Sequence, residues 1–170
     1  MSLQFLPSRI LSHNITIYTD GASRGNPGPG GYGIILMSGK HRKEISEGFR
    51  RTTNNRMELL SVIVALESLK TPGCHVTIYS DSKYVVDSIM QKWVWNWQKK
   101  GFSGKKNADL WARFLRIYPK HNVKLVWVRG HTENAFNERC DELAVSAALN
   151  GPLHIDAGYE NPEENTLNLE

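Results

Sequence analysis

The chain has 170 residues, 40% hydrophobic and 22% charged, which suits one domain burying roughly 70% of its unfolded surface. Its net charge of +4 is unevenly divided: residues 151–170 hold five acids and no base, so the rest carries +9. A body this basic points to a polyanionic partner, nucleic acid first, the plainer alternative being a basic surface that only aids solubility. Two cysteines, Cys74 and Cys140, are too few and too far apart for a disulfide framework or a zinc knuckle. Reduced thiols fit a cytoplasmic location. No apolar run nears the ~18 residues of a membrane span. The N-terminus lacks the basic and apolar regions of a secretory signal.

Residues 1–13 read as a leader. Residues 14–20 alternate with β-branched side chains and predict a strand. Residues 21–31 (GASRGNPGPGG) have loop chemistry. Two further strands, 32–38 and 42–50, are joined at Gly39-Lys40 in a hairpin. Residues 56–69 are apolar on most sides, which predicts a buried helix stopped by Pro72-Gly73. A short strand follows at 75–80. Helices are expected over 82–100 and 107–118, split by Gly101-Phe102-Ser103-Gly104. A strand at 123–128 and a helix at 137–149 complete the series, and Gly151-Pro152 stops the last helix. The order β-β-β-α-β-α-α-β-α indicates an α/β sheet with an antiparallel start and parallel additions. Residues 14–150 form the domain, and the acidic segment 151–170 is expected to be disordered.

Gly28-Pro29-Gly30-Gly31-Tyr32-Gly33 formally matches a dinucleotide fingerprint. The fingerprint needs a helix starting at its glycines. Ile34-Ile35-Leu36 follow instead, so the run is read as a tight entry to a strand. Four carboxylates carry more information. Asp20 and Asp81 each end a strand, and in a parallel pair both would open into one crevice. Glu58 and Asp141 sit near helix starts. Singly, each has an ordinary explanation as a dipole complement or turn starter. Together they would repel one another unless hard divalent cations with oxygen ligands offset the charge. Two such cations can activate water and stabilise a leaving alkoxide in phosphodiester cleavage.

Five blocks carry a resemblance to one family. They are Thr19-Asp20-Gly21-Ala22 with Gly25 to Gly33, then Thr53-Asn54-Asn55-Arg56-Met57-Glu58-Leu59, then Tyr79-Ser80-Asp81-Ser82-Lys83-Tyr84-Val85. Val128-Arg129-Gly130-His131 and Asn137 to Ala144 complete the set. In this order, over about residues 14–150, they resemble type 1 ribonuclease H. The resemblance implies the ribonuclease H-like fold, a five-stranded mixed sheet with helices on both faces. It implies Mg²⁺-dependent endonucleolytic cleavage of RNA in an RNA–DNA hybrid, leaving 5′-phosphate and 3′-hydroxyl ends, with Mn²⁺ as a substitute ion. It makes Asp20 the bridge between two ions, places Asp141 at the ion that activates water, and puts Glu58 and Asp81 at the ion facing the leaving oxygen. His131 becomes a helper in proton handling or product release rather than a permanent ligand. A monomer is expected.

Only RNA offers a 2′-hydroxyl. Gly21, Ala22 and Ser23, with Glu58, resemble the part that touches the RNA strand. Asn26, Thr53, Asn54 and Asn55 are short uncharged donors suited to the DNA strand, although Asn54 and Asn55 could equally cap a helix. Residues 92–106 hold five lysines and no acid, interleaved with aromatics. Of these, Lys99, Lys100, Lys105 and Lys106 suit phosphate contacts; the segment resembles the family's basic protrusion, which implies that Trp93 and Asn96 face the DNA strand. A core of tryptophans with a wet lysine face is the plainer reading. Lys83 stands where the family commonly has an uncharged amide; it would add a phosphate contact or perturb Asp81. Two rival functions remain at this point: a non-catalytic hybrid-binding module, and a nuclease or strand-transfer enzyme acting on DNA. A mobile acidic tail would also compete weakly for the lysine face, or simply be inert.

Overall fold

A computed structural model describes residues 13–130 and 134–162. Three long strands, β1 (Asn14–Ser23), β2 (Gly28–Ser38) and β3 (His41–Thr52), form an antiparallel meander. Helix α1 (Asn54–Glu67) leads to β4 (His75–Ser80), which pairs parallel with β1. Helices α2 (Lys83–Met90), α3 (Trp93–Lys99) and α4 (Ala108–Ile117) precede β5 (Asn122–Trp127), parallel to β4. Helix α5 (Ala135–Asn150) follows, then β6 (Leu153–His154) and the short α6 (Ala157–Glu160). The sheet order is β5-β4-β1-β2-β3-β6. The two-residue β6 makes six strands where five were expected; the mixed sheet itself is as expected.

Strand alternation assigns the two faces. Ile15 and Ile17 of β1 and Tyr32, Ile34 and Leu36 of β2 join the main core with α1 and α4. Helix α1 is buried nearly all round, from Met57 through Leu59, Leu60, Val62, Ile63, Ala65 and Leu66. That explains its lack of a polar stripe. Each of its large side chains contributes about 1.5–3 kcal/mol by leaving water. The opposite residues of β2 include Gly31 and Gly33, and α5 lies over them. A Cβ at Gly33 would strike the Cys140 carbonyl oxygen. Lacking one, β2 lets the α5 backbone approach closely.

Three expectations are corrected. Of the loop expected over 21–31, residues 21–23 and 28–31 are strand, with a register shift between Gly28 and Gly30. The helix expected over 82–100 is two helices, because Lys92 adopts a left-handed conformation (φ 65°). Residues 153–162, a C-terminal strap, pack against the body, whereas a disordered tail was expected over 151–170; residues 163–170 lie outside the described residues. The reason is charge neutralisation. Asp156 accepts from Thr52 Oγ1 at 2.7 Å and from Arg56 Nε at 2.7 Å, and Glu160 pairs with Arg50 at 2.9 Å.

Candidate active site

The parallel pairing of β1 and β4 runs to Tyr18 opposite Tyr79. Asp20 and Asp81 follow two residues later on each chain segment, so both leave the same end of the sheet. Gly21 brings the third acid close. A Cβ there would collide with the backbone of Met57 and Glu58, so only glycine lets the end of β1 touch the first turn of α1. Glu58 thereby faces Asp20. One carboxylate oxygen from each of Asp20, Glu58 and Asp81 lies within 4.8 Å of the others. Asp141 projects from α5 into the same cleft of about 570 Å³, whose lining also includes Ala22, Ser23 and Asn54.

Electrostatics follow from that crowding. Burial, then the charge of Asp81, pushes the Asp20 carboxyl up to about 7. Burial, then Asp20 and Asp81, holds Glu58 well above the usual carboxylate range. Without a counter-charge the pair retains a proton, with Glu58 donating to Asp20. Gly21 N–H donates to Asp20 Oδ1 at 2.9 Å. Glu58 Oε2 is buried with no hydrogen-bond partner among the described residues. The donor set is all carboxylate oxygen, mutually repelling, with one orphaned acceptor. It fits a hard divalent cation.

Of the residues expected from the sequence to contact nucleic acid, Gly21, Ala22, Ser23 and Asn54 line this cleft. Ser23 N–H donates to Asn54 Oδ1 at 2.8 Å, and Asn54 N–H donates to Asn26 Oδ1 at 3.1 Å. Thr53 is the N-cap of α1, its hydroxyl accepting from Arg56 N–H at 3.3 Å. Thr53 and Asn55 face a second groove, lined also by Asn26, Lys105 and Lys106. Lys99 and Lys100 are exposed at the end of α3, and Trp93 and Asn96 are exposed on it. Trp95 and Trp97 instead pack against the core, and Trp97 carries the Lys105 ammonium 4.8 Å from its ring centre. Lys83 is exposed, its ammonium 4.8 Å from the Trp127 ring centre, and Trp127 Nε1–H donates to the Asp81 carbonyl at 3.1 Å. His131 lies outside the described residues.

Sequence reasoning missed two features. Asn137 lines the carboxylate cleft one helical turn before Asp141, and its Nδ2 is buried without a partner among the described residues. The four-residue spacing on a helix was the available signal. The other is Arg56, a buried arginine bonded to both Asp109 and Asp156.

Comparison with known proteins agrees with this geometry. The RNase H family profile matches residues 12–149. A ribonuclease H of Syntrophus aciditrophicus is 51% identical over 152 residues, covering 85% of this chain and 86% of the relative. One from Trichodesmium erythraeum is 52% identical over 151 residues, covering 86% and 96%. Among solved structures, LC9-RNase H1, described as a type 1 RNase H with the type 2 active-site motif, superposes with a TM-score of 0.76. It is 32% identical, with 95% of this chain and 87% of that one covered. LC11-RNase H1, solved with an RNA/DNA hybrid, gives a TM-score of 0.57 at 26% identity, covering 79% and 96%. With sequence, fold and carboxylate cleft in agreement, the chain belongs to the RNase H family.

Proposed function

We propose that this chain hydrolyses the RNA strand of RNA–DNA hybrids, using divalent cations, Mg²⁺ foremost with Mn²⁺ as a substitute. The observation that carries this is the cluster of Asp20, Glu58 and Asp81 with its orphaned Glu58 oxygen. Asp20, Glu58 and Asp81 would hold one ion, and Asp20 with Asp141 a second. Bound divalent cations supply a lowered water pKa and charge stabilisation at a phosphodiester. The chain's own part is to release the proton shared by Glu58 and Asp20 and to seat the substrate. The end of β1, through Gly21, Ala22 and Ser23, meets the RNA strand at the cleft. Asn26, Thr53 and Asn55, with Lys105 and Lys106, meet the DNA strand across the groove. Asn54 ties the two regions together through Ser23 and Asn26. Lys83, Trp93, Asn96, Lys99 and Lys100 extend the contact with the backbone. His131 assists proton handling or product release. Cleavage leaves 5′-phosphate and 3′-hydroxyl ends. The chain acts as a monomer in the cytoplasm; its two cysteines are free thiols, and no described helix could cross a membrane.

The test is cleavage of matched RNA–DNA, RNA–RNA and DNA–DNA duplexes, with and without Mg²⁺. Cleavage of the RNA strand of the hybrid alone, and only with the ion, is expected. Cutting of the DNA duplex would favour the strand-transfer alternative, and binding without cutting the non-catalytic one.

A second expectation concerns pH. Asp20 titrates near 7 in the folded protein, above its ordinary value of 3.8. Between those values the unfolded chain gives up the proton and the folded chain keeps it. Stability without metal therefore falls as pH rises from about 4 to about 7. A cation needs the ionised site, so protons oppose it at low pH. At ten times its dissociation constant a ligand adds about 1.4 kcal/mol, or roughly 3–6 °C for a domain of this size. Mg²⁺ at a fixed concentration should raise the melting temperature by several degrees at pH 8 and by far less at pH 5. An equal rise at both values would remove these carboxylates as the binding site.

A further inference from the structure

Asn54 lines the carboxylate cleft, while its neighbours Thr53 and Asn55 line the second groove. One turn thus divides two channels, as a duplex with one strand in each would require. The groove measures about 720 Å³. One wall carries Asn26, Thr53 and Asn55; another carries Phe102, Lys105 and Lys106. The third is formed by the C-terminal strap, through Gly158, Tyr159 and Pro162.

The strap is built into place. Its β6 pairs parallel with β3, Leu153 opposite Gly48 and His154 opposite Phe49. Asp156 is buried on Arg56 and Thr52, and Gly158 sits so close to Asp109 that a side chain there would collide. The same contacts dispose of the strap's charge. Asp156 is spent on Arg56, and Glu160 makes a two-pronged pair with Arg50 at 3.1 and 2.9 Å. Asp109, the acid in the groove lining, is paired with Arg56 at 2.7 Å. Among the described residues, the groove therefore keeps the charge of Lys105 and Lys106 without a paired acid. What residues 153–162 show to it is glycine, proline and one phenol.

We propose that the strap is the third wall of the DNA-strand groove, with the half-buried Tyr159 as its contact to the sugar-phosphate backbone. This rests on the hybrid-cleaving reading above. A phenol suits the task. Its ring offers apolar area to a deoxyribose, its hydroxyl can donate to a phosphate oxygen, and it carries no charge to repel the strand. The strap thus assists binding, where a mobile acidic tail would have competed.

The test is steady-state cleavage of an RNA–DNA hybrid in Mg²⁺ by the full chain and three variants, with melting temperatures measured alongside. Tyr159→Ala should raise KM at least fivefold with a much smaller change in kcat. Tyr159→Phe, which keeps the ring, should fall between it and the wild type. Ile155→Ala is the control: Ile155 lies on the strap but lines the neighbouring cavity beside Phe49 and not the groove. It should leave KM within twofold of the wild type. The proposal is overturned if both tyrosine variants keep a wild-type KM, or if Ile155→Ala raises KM as much as Tyr159→Ala. If the wild type failed to cut any hybrid, the hydrolase reading would fall instead. Titration of labelled hybrid against the same variants in EDTA would then still decide the wall, by whether Tyr159→Ala alone weakens binding.

Discussion

Asp20→Asn should lower hybrid cleavage by at least three orders of magnitude and make the metal-free protein more stable at pH 8. Both effects come from one carboxylate. Asp20 sits between Glu58 and Asp81, close enough for a single cation to reach all three. An amide keeps the shape but loses half the donor capacity and all the charge, so it cannot join two ions. Burial and Asp81 hold the Asp20 carboxyl at about 7, so at pH 8 its ionised form is an unfavourable group in a crowded cleft. The neutral amide removes that repulsion and can donate to Glu58. The melting temperature without metal should rise by a few degrees, and added Mg²⁺ should no longer raise it. Hybrid binding should persist, since losing a negative charge does not weaken a polyanion's hold. Turnover near the wild-type rate would defeat the metal assignment. A lower melting temperature at pH 8 would show that Asp20 contributes a structural contact beyond its charge.

The carboxylate cleft was legible because its geometry follows from local rules. Asp20 and Asp81 each lie two residues past the last parallel pair of β1 with β4, at the C-terminal end where parallel strands come together, although β1 itself runs on to Ser23. Strand β4 was read with its observed bounds, 75–80, since β-branched alternation there is undisturbed. The failures share a different cause. Gly28, Gly30 and Gly31 look like loop residues, yet their lack of side chains serves neighbours that only the fold supplies. A Cβ at Gly30 would lie 2.6 Å from Thr52 Cγ2, and one at Gly31 2.5 Å from the Ala144 carbonyl oxygen. The break at Lys92 has no glycine or proline to announce it. The strap was misread on composition, since an acidic run looks disordered until its partners are known. Asp156 meets an arginine 100 positions away and Glu160 one 110 positions away. No local window contains both members of either pair.

Arg56 joins three elements, and Arg56→Met should cost about 3–5 kcal/mol, or roughly 6–20 °C in melting temperature. Its side chain is only 3% exposed. Burial alone would lower its basicity, but bonds to Asp109 and Asp156 outweigh that and raise it. The guanidinium donates to Asp109 at 2.9 and 2.7 Å, to Asp156 at 2.7 and 2.9 Å, and to Asn107 Oδ1 at 3.4 Å. It therefore holds the start of α1, the start of α4 and the strap on one rigid fork. Methionine fills much of the volume but leaves two carboxylates facing each other without a cation. The pH dependence identifies the cause. Burial would raise Asp109, yet the Arg56 bonds hold it below its ordinary value. That contribution is present above pH ~4 and lost as pH falls through the depressed value. In Arg56→Met the Asp109 carboxyl loses that partner and burial favours its protonated form, so acid relieves the damage. The gap in melting temperature between variant and wild type should be widest near pH 7 and narrow toward pH 4. Adding Asp109→Asn and Asp156→Asn to Arg56→Met should recover at least half of the loss at pH 7, because neutral amides need no counter-charge. A gap that stayed constant with pH, with no recovery in the triple variant, would assign the loss to packing alone.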